Sequence, residues 1–157
     1  MLGATCLLTT FLWYRDPKEG SCIYRTAQIT TMLGICMTYI ATVVFWTLVA
    51  PDFLQELPPV WFLGLVLAHT LPLILILINY FTSAVEINWK EWWHSAVMLI
   101  LYTLANFGFT EKTGHDVYPF MTWEFPAFAI SENFYCWAGG LTACYITHLV
   151  RGYFKRR

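Results

Sequence analysis

The chain has 157 residues, of which 58% are hydrophobic, 18% aromatic and only 12% charged, and its mean hydropathy is +0.54. Because roughly a quarter of the residues of a soluble globular domain carry charge, this composition excludes an ordinary soluble domain and indicates a polytopic membrane protein. The net charge of -1 at pH 7 gives no support to nucleic-acid binding.

The N-terminal half of the chain predicts a short helix and two membrane-crossing helices. Residues 2–14 are apolar but too few to cross a bilayer, so we predict a half-span or interfacial helix there. Residues 26–50 form the first span, and residues 60–82, an almost unbroken apolar run, form the second. At about 1.5 Å per residue each span covers roughly 35 Å, which is enough to cross a hydrocarbon core of about 30 Å. In the second span, Pro72 should kink the helix about one turn beyond His69.

The C-terminal half predicts two further spans. Residues 91–109 are entered through a cluster of tryptophans, which suits a membrane boundary, and residues 127–151 lead into a basic tail. The whole chain, residues 1–157, is therefore predicted to be one all-α membrane domain. This domain is a polytopic bundle of four transmembrane helices with the short N-terminal helix attached.

The basic residues are distributed unequally across these spans. One side holds Lys112 alone, whereas the other side holds the remaining eight of the nine lysines and arginines: Arg15, Lys18, Arg25, Lys90, Arg151, Lys155, Arg156 and Arg157. By the positive-inside rule this basic face should lie toward the cytosol, or toward the matrix in a mitochondrial inner-membrane protein. The endoplasmic reticulum and the mitochondrial inner membrane are the two locations that we expect.

Aromatic and basic side chains at the membrane boundary, together with the mid-membrane histidine, are candidates to contact lipids. We predict such contacts for Trp46, His69, Trp92, Trp93, Arg151 and Arg156. In the last span, Gly139, Gly140 and Ala143 place small residues where a helix of another membrane-protein subunit could approach closely.

The four histidines differ in their predicted settings. His69 lies about halfway along the second span, where no water satisfies its ring nitrogens, so a catalytic role and a structural role are equal alternatives. His115 lies in the longest loop and is expected to be solvated. His94 and His148 lie near a membrane boundary, and a minor alternative is that they ligate a haem together. No other cofactor and no metal is predicted, because the cysteines and histidines show no metal-ligand spacing.

Several short motifs follow one another between about Gly34 and Phe120. They are Phe45-Trp46, His69-Thr70, Ile74-Leu75-Ile76, Thr82-Ser83, Thr113-Gly114 and Val117-Tyr118-Pro119-Phe120. In order and spacing they resemble the family of the androgen-induced and androgen-dependent TFPI-regulating proteins, which are multi-pass membrane hydrolases of fatty-acid esters of hydroxy fatty acids. The resemblance implies a helix bundle around a lipid-sized cavity. It also implies that His69 corresponds to the histidine that takes the proton from a nucleophilic threonine.

The chain departs from this family where the nucleophile should be. The family's threonine lies farther upstream than this chain extends, so the chain resembles an N-terminally shortened member in which Thr9 or Thr10 is the nearest substitute. Asn79 also stands where the family has an acidic residue. Because covalent catalysis has no chemical step without its nucleophile, we expect a non-catalytic, lipid-contacting subunit of a larger membrane assembly, such as a mitochondrial inner-membrane complex. The alternative is an active threonine/histidine hydrolase of fatty-acid esters.

Overall fold

The computed structural model describes residues 19–53, 58–118 and 122–156. Over these residues the chain is all-helical and contains no strand, so the all-α prediction is confirmed. The predicted helix at residues 2–14, with Thr9 and Thr10, lies outside the described residues, as do Arg15 and Lys18.

The first described helix, α1, runs over Cys22–Val44 and continues through a π-helical segment, Phe45–Val49, into the short α2, Ala50–Phe53. It begins behind Ser21, whose hydroxyl accepts a 3.2 Å hydrogen bond from the Tyr24 amide and satisfies one of the free N–H groups of the first turn. Several threonines of α1 donate their hydroxyls to carbonyls of the preceding turn, which hides these polar groups within the helix.

The apolar run of the second predicted span forms two helices, α3 over Pro59–His69 and α4 over Leu71–Thr82, separated by Thr70. Pro72 is the second residue of α4. The helix is interrupted at Thr70, directly after His69 and two residues before Pro72, and not one turn beyond His69. Proline lacks an N–H, so the Ala68 carbonyl four residues earlier loses its regular helical donor, and the proline ring crowds that carbonyl. The interruption of the helix therefore lies before the proline in sequence.

The last two helices are longer than the spans predicted for them. After a 3₁₀ turn at Trp89–Glu91, α5 runs over Trp93–Thr113 and ends at Gly114, whose φ of 70° lies in the left-handed region that glycine adopts easily. The final helix, α6, runs over Pro126–Lys155 and starts with a proline, where no backbone donor is needed.

Helix α1 lies at the centre of the described bundle and packs against α4, α5 and α6. A buried cluster joins α1, α4, α6 and the loop before α5, and it comprises Met32, Ile35, Ile76, Tyr80, Ile87 and Cys144. Helix α6 approaches α1 closely at Gly140, where a Cβ atom would lie 2.8 Å from Cys36 Sγ and from Ile40 Cγ1. Gly140 thus packs within the chain, whereas Gly139 faces open space. Of these two glycines of the face predicted to contact other subunits, only Gly139 is therefore open to a partner.

Two helical segments of the described residues are long and apolar enough to cross a membrane, Cys22–Val49 and Val60–Thr82. The second of them is very poorly covered by the rest of the chain, and large apolar side chains along it and along α5 are exposed. Helices α5 and α6 are long enough but carry more polar residues, such as Asn106, Glu132 and Asn133, which lower their hydropathy.

Candidate functional site

His69 is the last residue of α3, and its ring lies flat against a side chain of α1. The His69 and Phe45 rings are stacked with centroids 3.8 Å apart and an interplanar angle of 2°. Phe45 is buried and is the first residue of the π-helical segment. Single-turn π segments in α-helices are frequent at functional sites because they redirect side chains. Here the segment begins at the residue that contacts the histidine.

Two further side chains, one from α1 and one from the π-helical segment, form hydrogen bonds with residues at the break between α3 and α4. Thr42 Oγ1 donates a hydrogen bond to the carbonyl oxygen of His69, and Trp46 Nε1 donates one of 2.8 Å to Thr70 Oγ1. The break removes the regular helical partners of nearby carbonyls, and unpaired polar groups are costly in an apolar setting. The Thr42 hydroxyl supplies the missing donor, which the sequence pattern of helix-facing threonines did not indicate.

A largely apolar cavity of about 480 Å³ opens beside His69, and a cavity of this size lies in the range that holds a small ligand. Its walls come from α1, the π-helical segment, α5, the loop after α5, and α6. Apolar side chains form most of the wall: Met37, Ile40, Ala41, Val44, Phe45, Val49, Leu99 and Val117. Such a wall favours the hydrocarbon part of an apolar or amphipathic ligand.

A few polar side chains also line the cavity: His69, Tyr102, Tyr118, Asn133, Cys136 and Trp137. Several of them already have partners in the protein. Asn133 Nδ2 donates a 2.9 Å hydrogen bond to the Ala129 carbonyl, and Trp137 Nε1 donates one of 3.1 Å to Ser95 Oγ. The Tyr102 and Tyr118 side chains interact with each other. The cavity therefore combines apolar walls with a small number of placed polar groups.

The geometry around His69 does not provide a nucleophile within the described part of the chain. No described side chain forms a hydrogen bond with the His69 ring nitrogens, and the nearby hydroxyl of Thr42 binds the backbone carbonyl. A general base must reach the proton it abstracts, at roughly 3 Å or through one water. The predicted substitutes Thr9 and Thr10 lie outside the described residues, so their relation to His69 stays a prediction.

The predicted lipid-contacting residues occupy three different environments. Trp92 and Trp93 are each 47% exposed, and Arg156 is exposed, as a lipid contact would require. Trp46 is half-buried, with its N–H used at the α3–α4 break. Arg151 is only 4% exposed, so its guanidinium is turned inward and away from the surface.

Arg151 and its neighbours connect three segments at one end of the bundle. The Arg151 guanidinium donates to the carbonyls of Ser83 and Val85 and lies 4.4 Å from the centroid of the Tyr80 ring. At the same end, Arg25 Nε lies 2.6 Å from Glu91 Oε1, and Lys155 pairs with Glu86. These partners hold the pKa of the Glu91 and Glu86 carboxyls below their usual range. Three residues of the predicted basic face, Arg25, Arg151 and Lys155, therefore contact the same segment between α4 and α5, and Lys90 belongs to that segment.

His94 and His148 each contact protein groups of their own. His94 Nδ1 lies 2.9 Å from the Glu91 carbonyl oxygen, and its ring stacks on Trp93. His148 Nδ1 lies 3.4 Å from the Tyr80 hydroxyl, and its ring packs on Trp89. The described ranges contain no group of three or more histidine, cysteine or acidic side chains that could hold a metal ion.

Comparisons with known proteins identified no relative of this chain. No protein-family model, no curated protein and no solved structure matches the chain.

Proposed function

We propose that this chain is a four-span integral membrane protein that holds a lipid acyl chain in the cavity beside His69 and does not hydrolyse it. The observation that carries the proposal is the apolar cavity itself, which is lined by one histidine ring without a hydroxyl partner among the described residues. In this proposal the chain acts as a lipid-contacting subunit of a larger membrane assembly.

The four-span arrangement is supported by helix length and by surface composition. At about 1.5 Å per residue, the 21 residues of α5 and the 30 residues of α6 are both long enough to cross a hydrocarbon core. Both pack against α1 or against each other, so their polar residues can be turned inward, as happens for Asn106 and Asn133, which are each 4% exposed. The side chains that remain outside are mainly large and apolar.

The orientation and location belong to the same proposal. Arg25, Lys90, Arg151 and Lys155 lie at one end of the bundle, and Lys112 lies near the C-terminal end of α5. We assign the basic end to the cytosol, or to the matrix of a mitochondrion, by the positive-inside rule.

Membership of the androgen-induced protein family is also part of the proposal, and one geometric fact supports it. The two motifs Phe45-Trp46 and His69-Thr70 are 24 residues apart in sequence, yet Phe45 stacks on His69 and Trp46 binds Thr70. Residues that carry a family resemblance are expected to meet when they serve one site. A member that has lost its nucleophile would keep this pair of contacts and the cavity, while losing hydrolysis.

The lipid-holding role is tested by filling the cavity. An Ala41→Phe variant should lose its co-purifying acyl lipid by about tenfold or more, because a phenyl ring would occupy the wall space that the chain needs. Lipids extracted from the protein, purified in mild detergent, are quantified by mass spectrometry. Ala105→Phe is the matched control, since Ala105 is exposed on α5 and does not line the cavity. Equal lipid contents in the wild type and both variants would refute a lipid site in this cavity.

The absence of hydrolysis is tested at His69. The wild-type protein and a His69→Leu variant should hydrolyse fatty-acid esters of hydroxy fatty acids at the same rate as a protein-free blank. His115→Leu is the control, because His115 is exposed and does not itself line the cavity.

The second candidate function is an active hydrolase, and the position of the His69 ring on the cavity wall favours it. In that case the wild type and His115→Leu would release fatty acid, and His69→Leu would lower the rate by about 100-fold or more through the loss of a general base. That result would replace the non-catalytic proposal.

A further inference from the structure

The break between α3 and α4 is held by residues 42–46, which form the end of α1 and the start of the π-helical segment. Thr42 binds the carbonyl of His69 on one side of the break, and Trp46 binds the hydroxyl of Thr70. Phe45 lies between them in sequence and stacks on the His69 ring. Residues three and four positions apart lie on one face of a helix, so these three side chains meet α3 together. The contact is compact, and it combines two hydrogen bonds with one ring stack.

Helix α3 has little else to hold it among the described residues. Its large side chains Val60, Trp61, Leu63 and Leu67 are all exposed. Its second aromatic contact, between Phe62 and Trp46 with centroids 6.2 Å apart, uses the same residue of α1. A segment with few buried contacts is expected to open locally at a lower free-energy cost than the core around it. The position of α3 therefore depends strongly on Thr42 and Trp46.

Helix α3 contributes a single residue to the cavity wall. Of the described lining residues, His69 alone comes from α3 or α4, and the others belong to α1 and the π-helical segment, α5, the following loop and α6. A movement of α3 would remove His69 from the wall and leave the remaining walls in place. The helix is interrupted at Thr70, directly beyond this residue, where a hinge would be needed.

We propose that Thr42 and Trp46 form a latch that holds α3 closed against the cavity, and that α3 turns about Thr70 to let a lipid acyl chain enter from the membrane and leave again. The second half of this proposal depends on the proposed lipid-holding function. In the closed position the latch also positions the His69 ring against Phe45, so Thr42 and Trp46 are positioning residues for the cavity.

Hydrogen–deuterium exchange of the detergent-solubilised protein tests the latch without any ligand. Thr42→Val removes one donor with almost no change of shape, and Trp46→Phe removes one donor while it keeps a smaller aromatic ring. The amides of α3 should therefore exchange about three- to tenfold faster in both variants than in the wild type. The amides of α4 and α6 should exchange at the wild-type rate, which also reports that the fold is intact.

Two matched controls separate the latch from general effects of these substitutions. Thr47→Val removes a hydroxyl that bonds only within its own helix, to the Val43 carbonyl at 2.7 Å, and Trp61→Phe changes an exposed ring of α3. Both should leave the exchange of α3 unchanged. The latch is overturned if Thr42→Val and Trp46→Phe also exchange like the wild type, or if the controls exchange as fast as they do.

The rate of lipid release tests the gate. A conjugated-polyene fatty acid, which is fluorescent without a bulky label, is bound to the protein and then displaced by an excess of unlabelled fatty acid. The two latch variants should release it about three- to tenfold faster than the wild type and the two controls. Binding with equal release rates in all proteins would overturn the gate. A wild-type protein that binds no fatty acid would overturn the lipid-holding function and the gate together, whereas the exchange experiment would still decide the latch.

Discussion

A Gly140→Leu variant should lose most of its stability, because α6 meets α1 too closely at this residue to admit a side chain. A Cβ atom on Gly140 would lie 2.8 Å from Cys36 Sγ and Ile40 Cγ1, below any normal contact distance. The rest of a leucine side chain would have to displace buried groups or separate the two helices. Overpacking typically costs about 1–3 kcal/mol and occasionally more, and a leucine between two helices in contact should lie at the upper end of this range. The expected result is a much lower midpoint of thermal unfolding in detergent and a smaller monodisperse fraction on size exclusion.

Gly139→Leu provides the matched control for this prediction. A Cβ atom on Gly139 would meet nothing within 4 Å, so the purified chain should unfold near the wild-type temperature. The same variant tests the predicted contact with other subunits, because Gly139 is the exposed member of the glycine pair. It should reduce the proteins that co-purify with the chain in mild detergent while leaving the chain itself stable. Equal unfolding temperatures for the two variants would show that α1 and α6 do not approach closely at Gly140.

The helices could be predicted from the sequence because they coincide with long apolar runs. The predicted boundaries 26–50 and 60–82 differ by only a few residues from those of the segments Cys22–Val49 and Val60–Thr82. Residues beyond the apolar runs, such as Lys112 and Lys155, also belong to helices, and hydropathy does not report this. A helix can continue past the hydrocarbon core wherever its backbone hydrogen bonds and packing continue. The interruption at Thr70 was foreseen from Pro72 but placed too far along the chain.

The candidate site could be predicted only in part. His69 was identified because an imidazole in a long apolar run is unusual, and that signal is local to the sequence. The latch was not identified, because Thr42 and Trp46 meet the break only after α1 packs beside α3. A threonine that bonds to its own helix cannot be distinguished in sequence from one that also serves another helix. Thr42 is of the second kind, since its hydroxyl lies within hydrogen-bond distance of the carbonyls of both Thr38 and His69 and shares its single proton between them.

The environment of Arg151 is the opposite of the one that its position in the sequence predicts. It stands at the start of a basic tail, where a lipid-facing side chain is the usual expectation, yet its side chain is buried. The reason lies in the loop between α4 and α5. This loop turns over the end of α6 and presents the Ser83 and Val85 carbonyls, which lack regular helical partners and accept hydrogen bonds from the guanidinium. Arginine suits this position because its planar group donates in several directions at once.

An Arg151→Met variant should therefore be destabilised by about 3 kcal/mol, since one buried and one partly buried carbonyl oxygen lose charge-assisted hydrogen bonds that methionine cannot replace. Arg151→Lys should fall between this variant and the wild type, because an ammonium keeps the charge but lacks the fork that reaches both carbonyls. Thermal unfolding in detergent, followed by circular dichroism, gives the order of the three proteins.

Arg156→Met is the control for the loss of a cation at the same end of α6. Arg156 is exposed, so its replacement should leave the unfolding temperature nearly unchanged and should instead weaken binding to vesicles that contain anionic lipids. If Arg151→Met unfolded like the wild type and lost vesicle binding, Arg151 would contact lipid, as the sequence pattern predicts. The inward hydrogen bonds give the opposite expectation, because a guanidinium that holds two backbone carbonyls and covers Tyr80 cannot also reach a headgroup.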